Sequence, residues 1–221
     1  KTRISILKLK RCIINITERN IVPKKRKVVI EMKKLMFLMA LISVISNAEI
    51  TVTDPKDTKN INMHANSTDD MTIAGDGAYK DDGNPKDMDY TKFLNGYSVS
   101  GDEIIFENSH VIDLNGDYNS GVVINNNAAA RNTGIINING EGGIGLFTGD
   151  GTGVLENTES GIINVSNSGI GMATAGWPYN NFTGSIRNDG TITINGSGTG
   201  ISISGDIDTD GGIAENRGKI E

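Results

Sequence analysis

The chain of 221 residues has only two histidines, His64 and His110. Neither stands in a pattern that would support acid–base or nucleophilic catalysis. His64 lies in a polar, acidic segment, and His110 occupies a slot filled by glycine in the other copies of a repeat. No Gly-x-Ser-x-Gly elbow is placed on a strand-to-helix turn, so no Ser-His-Asp arrangement follows from spacing. The run "DIDTDGGIAENR" at Asp206 offers Asp206, Asp208, Asp210 and Gly211 at calcium-loop spacing, but its twelfth position is Arg217 where a bidentate Glu is needed. "GGIGLF" puts Phe147 where a calcium-binding nonapeptide repeat carries Asp. These readings leave solvated turns, no catalytic set, no metal site and no cofactor. The chain is expected not to be an enzyme.

The elements that could position any other function begin after an export signal. "MKKLMFLMALISVISNA", residues 32–48, has two lysines, an apolar run from Leu35 to Ile45 and small residues at Ser46 and Ala48. It reads as a signal peptide cleaved after Ala48, and its apolar run is too short to span a bilayer. Residues 1–31 read as translated leader or as an extended signal region, the leader being preferred. The whole chain carries 21 basic and 27 acidic residues. Residues 1–48 hold 12 of the basic residues but only Glu18 and Glu31 of the acidic ones, which leaves nine against 25, a net charge of −16. Such a chain repels nucleic acid and anionic membranes. Cys12 leaves with the leader, so stability must come from burial and hydrogen bonding rather than disulfides.

Residues 49–103 are polar and acidic, broken by Pro55 and Pro85, and are expected to be a cap or linker, with disorder as the competing reading. A stack of repeats needs a polar terminal unit over its first open edge. From residue 104 onwards a motif recurs. "RNTGIINING" at Arg131 returns as "ENTESGIINVSN" at Glu156 and "RNDGTITING" at Arg187, with an earlier copy "FENSHVIDLN" at Phe106 and a last one at Ala214. The shared asparagines Asn108, Asn132, Asn157, Asn188 and Asn216 are 24, 25, 31 and 28 residues apart. Periods of this length mark a solenoid.

Each period holds three strand signals. Ile136 and Ile138, Ile163 and Val165, and Ile192 and Ile194 alternate with polar residues, giving one apolar face. "GVVI", "GIGL", "GIGM" and "GISI" supply a second strand, and Phe106, Ala130, Leu155, Ile186 and Ala214 lead a third into the shared Asn. Three strands per turn with Gly and Asn corners predict an all-β protein, a right-handed parallel β-helix of about four to five coils over residues 104–221. Stacked coils set each residue above its counterpart about 4.8 Å away, so every position becomes a column that must tolerate its own kind. The Asn column is expected to form an internal ladder in which each side-chain amide donates to the next carbonyl. The position just before it reads Glu107, Arg131, Glu156, Arg187, Glu215, a solvent-facing column of alternating sign in which opposite neighbours contribute roughly 0.2–1 kcal/mol per pair.

The "N-x-G-x-I-x-[IV]" copies behind a signal peptide and a polar segment resemble the amino-terminal passenger region of bacterial autotransporters, the type V secretion proteins, over about residues 104–221. The resemblance implies passage through the inner membrane, translocation by a carboxy-terminal outer-membrane barrel, and work at the cell surface as a structural stalk or adhesin that binds a host-cell protein or glycan. The chain stops inside a repeat, so it is expected to be an amino-terminal fragment without the barrel. Two alternatives stand beside the adhesin. One is a β-helical polysaccharide lyase or hydrolase; the other is the stalk of a secreted protease whose catalytic domain lies elsewhere. The longest period carries its excess in "ATAGWPYNNFTGS", with the only tryptophan. Trp177, Tyr179 and Phe182 are the candidates for partner or glycan contact, against the competing reading that the rings shield the solenoid flank.

Overall fold

Three parallel sheets realise the column pattern of the repeats. The computed structural model describes residues 49–77, 94–174, 182–203 and 212–221. Among them are nineteen strands and one short 3-10 turn, Pro55–Asp57. The first sheet stacks β1 (Ile50–Val52), β4 (Met71–Ile73), β7 (Val111–Leu114), β10 (Ile135–Ile138), β13 (Ile162–Ser166), β16 (Thr191–Asn195) and β19 (Lys219–Ile220). The second stacks β2 (Lys59–Ile61), β5 (Leu94–Ser100), β8 (Asn119–Asn125), β11 (Ile144–Thr148), β14 (Ile170–Thr174) and β17 (Thr199–Ser202). The third holds β3 (Ala65–Asn66), β6 (Ile105–Asn108), β9 (Ala129–Asn132), β12 (Val154–Asn157), β15 (Ser185–Asn188) and β18 (Ile213–Asn216).

The chain visits the three sheets in turn, so three consecutive strands make one coil and each strand pairs in parallel with its counterparts one coil away. The fold is an all-β parallel solenoid. Residues 104–221 supply four complete coils, β7 to β18, with β6 before them and β19 after. The polar segment ahead of the repeats contributes β1 to β5 to the same sheets, so stacking begins at Ile50. Its strands are short and carry few of the Ile-x-Ile alternations that announce the later coils. No helix among the described residues is long and apolar enough to cross a membrane.

Alternation decides what lies inside. Ile112, Ile136, Ile163 and Ile192 stand in register in the first sheet and are 0–1% exposed. Val122, Leu146 and Met172 do the same in the second sheet, and Phe106, Ala130, Leu155 and Ile186 in the third. Each buried aliphatic side chain contributes about 1.5–3 kcal/mol of transfer free energy. Columns also balance volume. Phe106 sits between Ala65 and Ala130, and its ring lies 4.4 Å from that of Tyr97, so one large residue fills space left by two small ones.

The second sheet is buried on both faces in its middle. On the outer side Val123, Phe147 and Ala173 stand in register as a separate apolar cluster, with Ile144 and Ile170 against it. Corners need residues that accept unusual backbone or close approach. Asn126, Asn127 and Asn167 take φ of 55–59°, which Asn tolerates better than most residues. Gly140 lies so close to the coil before it that any Cβ would run into the Gly116 carbonyl oxygen.

Candidate functional site

The asparagine column forms one continuous ladder. Asn108 Nδ2 donates to Asn132 Oδ1 at 2.9 Å, Asn132 to Asn157 at 2.9 Å, Asn157 to Asn188 at 2.8 Å and Asn188 to Asn216 at 2.7 Å. The first four side chains are completely buried, and Asn216, in the last strand of its sheet, is exposed. Each amide also reaches a corner carbonyl: Asn108 that of His110 at 3.0 Å, Asn132 that of Gly134 at 3.2 Å and Asn157 that of Gly161 at 3.3 Å. The ladder therefore ties the turn after each third-sheet strand to the turn of the next coil. A buried amide satisfied on both sides stabilises the stack, whereas one left without a partner costs about 1–3 kcal/mol.

The ladder closes at its amino-terminal end. Ser67, 5% exposed, takes the position next to Asn108. Its Oγ accepts the Ser109 N–H at 2.9 Å and lies 3.1 Å from His110 Nδ1, while Ser109 Oγ is 3.2 Å from the same ring nitrogen. His110 N–H donates back to Asn108 Oδ1 at 3.3 Å. His110 thus stands in the glycine slot of its turn and is bound into the end of the ladder. His64 Nδ1 accepts the Ile105 N–H at 3.1 Å, which makes it a strand-end brace.

The charged column keeps the register of the repeats, pairing Glu107 with Arg131, Arg131 with Glu156, Glu156 with Arg187 and Arg187 with Glu215. Its centre is a triad. Glu156, whose side chain is 12% exposed, takes Arg131 Nε at 2.9 Å on one oxygen and Arg187 Nη2 on the other. Arg187 Nε also lies 2.8 Å from Asp189 as an ion pair without hydrogen-bond alignment. The outer members make different contacts. Glu107 accepts from Thr133 Oγ1 at 3.4 Å. Glu215 pairs with Arg217 on its own strand at 2.7 Å, and that bond holds its carboxyl below the usual range.

Two further polar arrays lie on the outside. On the first sheet, Asn137 donates to Asp113 at 2.7 Å and Asn164 to Asn137 at 2.7 Å, so a second ladder runs with opposite polarity to the inner one. At the corner between the second and third sheets, burial pushes the Asp150 carboxyl up. The Asn126 N–H, the Thr152 hydroxyl and N–H and the Thr148 hydroxyl outweigh that and hold it below its ordinary value. The Tyr97 hydroxyl, beside Phe106, is pushed up to about 12 by burial and by the charge of Asp69. Sequence reasoning missed the outer ladder and the Asp150 corner. The polar residue between the two inward apolar residues of each copy was the available signal for the ladder, while the corner has no fixed spacing.

The aromatic candidates separate. Phe182 is 3% exposed and belongs to the main core cluster, so it is not a contact residue: its ring fills the space beside Gly212, where any Cβ would touch it. Trp177 and Tyr179 lie outside the described residues, as do Asp206, Asp208, Asp210 and Gly211. Arg217, the twelfth position of that acidic run, is engaged with Glu215. Among the described residues no group of three or more His, Cys, Asp or Glu side chains is placed to hold a metal ion. No protein-family model, curated protein or solved structure matches the chain. What the described polar groups do is bind one another, coil to coil.

Proposed function

We propose that the solenoid is the exported passenger of a type V secretion system and serves at the bacterial surface as a structural stalk or adhesin. The observation that carries this reading is the inner ladder from Asn108 to Asn216, together with the charge triad on Glu156 outside it. Polar side chains that would otherwise form a reactive surface are consumed in holding coils together, which suits a scaffold. The lyase or hydrolase reading is weakened by the same contacts. Arg131 and Arg187, the basic groups at the centre of one outer face, are both engaged with Glu156. On this reading contact with a host-cell protein or glycan falls to side chains outside the solenoid core, with Trp177 and Tyr179 the remaining aromatic candidates.

The test is the fate of the protein in the cells that make it. Export predicts an amino terminus at Glu49 after cleavage behind Ala48, and destruction by protease added to intact cells. A protein that keeps residues 32–48 and is digested only after lysis would overturn the proposal.

A further inference from the structure

The two ends of the stack differ in chemistry. At the amino-terminal end, β2 places Lys59 in register with Tyr97, on the same side of the strand as Ile61, which packs against the core. That column otherwise reads Tyr97, Val122, Leu146, Met172, Ile201. A lysine here leaves an ammonium where another coil would have to bury an apolar side chain, and a buried unpaired charge is strongly unfavourable. Next to it, Pro55 opens the 3-10 turn, and β3 is only two residues long. Short edge strands, proline and inward-pointing lysine are the devices that stop edge-to-edge pairing. The Asn ladder is also closed here, because the Ser67 oxygen is already held by Ser109 and His110.

None of these devices is present on the face made by β17, β18 and β19. Ile213 is 57% and Ile220 40% exposed, although Ile220 continues the column of Ile192, which is fully buried. Ala214 and Asn216 are exposed, whereas Ile186 and Asn188 one coil earlier are not. The ladder runs with one polarity, each amide donating onward, so Asn216 presents a donor that points away from the stack. In the charged column the final residue is Glu215, after Arg187.

The geometry points to this face as a one-way docking surface for a parallel coil of the same column pattern: a basic residue over Glu215, an Asn carbonyl over Asn216 and an Ile over Ile220. Growth at the opposite end is blocked, so a second copy of the chain is not the occupant. In head-to-tail stacking Lys59 would be pressed against Ile201, and Asn216 would meet Ser67. The inference does not depend on export or on any surface activity.

The experiment extends the full chain beyond Glu221 by one coil that copies residues 165–192, which sets the copied Arg187 over Glu215, the copied Asn188 over Asn216 and the copied Ile192 over Ile220. Amide hydrogen exchange of β18 and β19 reports docking. Exchange is expected to slow at least tenfold. An extension carrying Arg187→Glu and Asn188→Leu in the copied coil should give less than a third of that protection. No slowing, or equal slowing by both extensions, would overturn the inference. Sedimentation of the unextended chain provides the second readout. Monomers are expected, with concentration-dependent oligomers appearing only in Lys59→Leu; oligomers of the unaltered chain that disappear in a Glu215→Lys, Asn216→Lys double variant would identify a second copy as the occupant and overturn it equally.

Discussion

Asn157 Nδ2 donates to Asn188 Oδ1 at 2.8 Å, joining two fully buried side chains 31 residues apart in sequence. Each amide serves both as a rung of the ladder and as an anchor for its own turn, so interior and end positions should respond differently to substitution. Asn157→Leu orphans the Asn132 donor and the Asn188 acceptor and is expected to cost about 1–3 kcal/mol for each. Asn216→Leu removes one bond at an exposed rung and should cost no more than about 1 kcal/mol. Chemical denaturation compares the two, and equal midpoints would remove the ladder from the account of stability.

The charged column makes an ionic-strength prediction. Arg187→Glu would set Glu156, residue 187 and Glu215 as three acids in register and leave Glu156, with its 12% exposed side chain, only Arg131 as a partner. The loss should be on the order of 1–2 kcal/mol at low salt and shrink as salt is raised, because exposed charges are screened within about 10 Å at 0.1 M. Midpoints measured at two salt concentrations decide it: a salt-independent loss would mean that packing of the arginine stem dominates.

Acid stability should depend on Asp150. Its carboxyl is held below the ordinary value of 3.8 in the folded chain by the donors of Asn126, Thr152 and Thr148. A depressed folded value means that ionised Asp150 contributes its stabilisation above the unfolded value, and that this contribution is lost as pH falls below 3.8 through the folded value. Asp150→Asn should therefore be less stable than the parent at neutral pH, and the gap should narrow in acid. Denaturation midpoints at pH 7 and pH 3 measure it, and a gap that widens in acid would reverse the sign.

Placing Phe182 in the core splits the aromatic set. Phe182→Ala should lower stability by about 3–5 kcal/mol through the cavity it leaves. Substituting Trp177 and Tyr179 together by Ala, with Phe182 kept, isolates surface contact from packing. Cell attachment and thermal unfolding are measured side by side, and the reassignment of Phe182 fails if Phe182→Ala leaves unfolding unchanged.

The solenoid was legible because its signal is one-dimensional. An inward Ile every second residue and a shared Asn every 24 to 31 residues are column rules that any stack must obey, and they alone place Ile136 over Ile112 and Asn157 over Asn132. Sign alternation from Glu107 to Glu215 was readable for the same reason. The first coils were hidden because β1 to β4 have two or three residues each and set Lys59 and Ser67 where the pattern calls for an apolar residue and Asn.

Tertiary structure alone decided which contacts close. Register brings Arg131 and Arg187 equally near Glu156, but rotamers and local partners decide that Glu107 turns to Thr133 and Glu215 to Arg217. It also decided that Phe182 turns inward, since an aromatic beside a long insertion reads the same whether its ring faces solvent or core. Columns follow from backbone periodicity, which the order of residues specifies. Side-chain pairing at corners and column ends depends on the few ångströms between competing donors, which only the packed coils define.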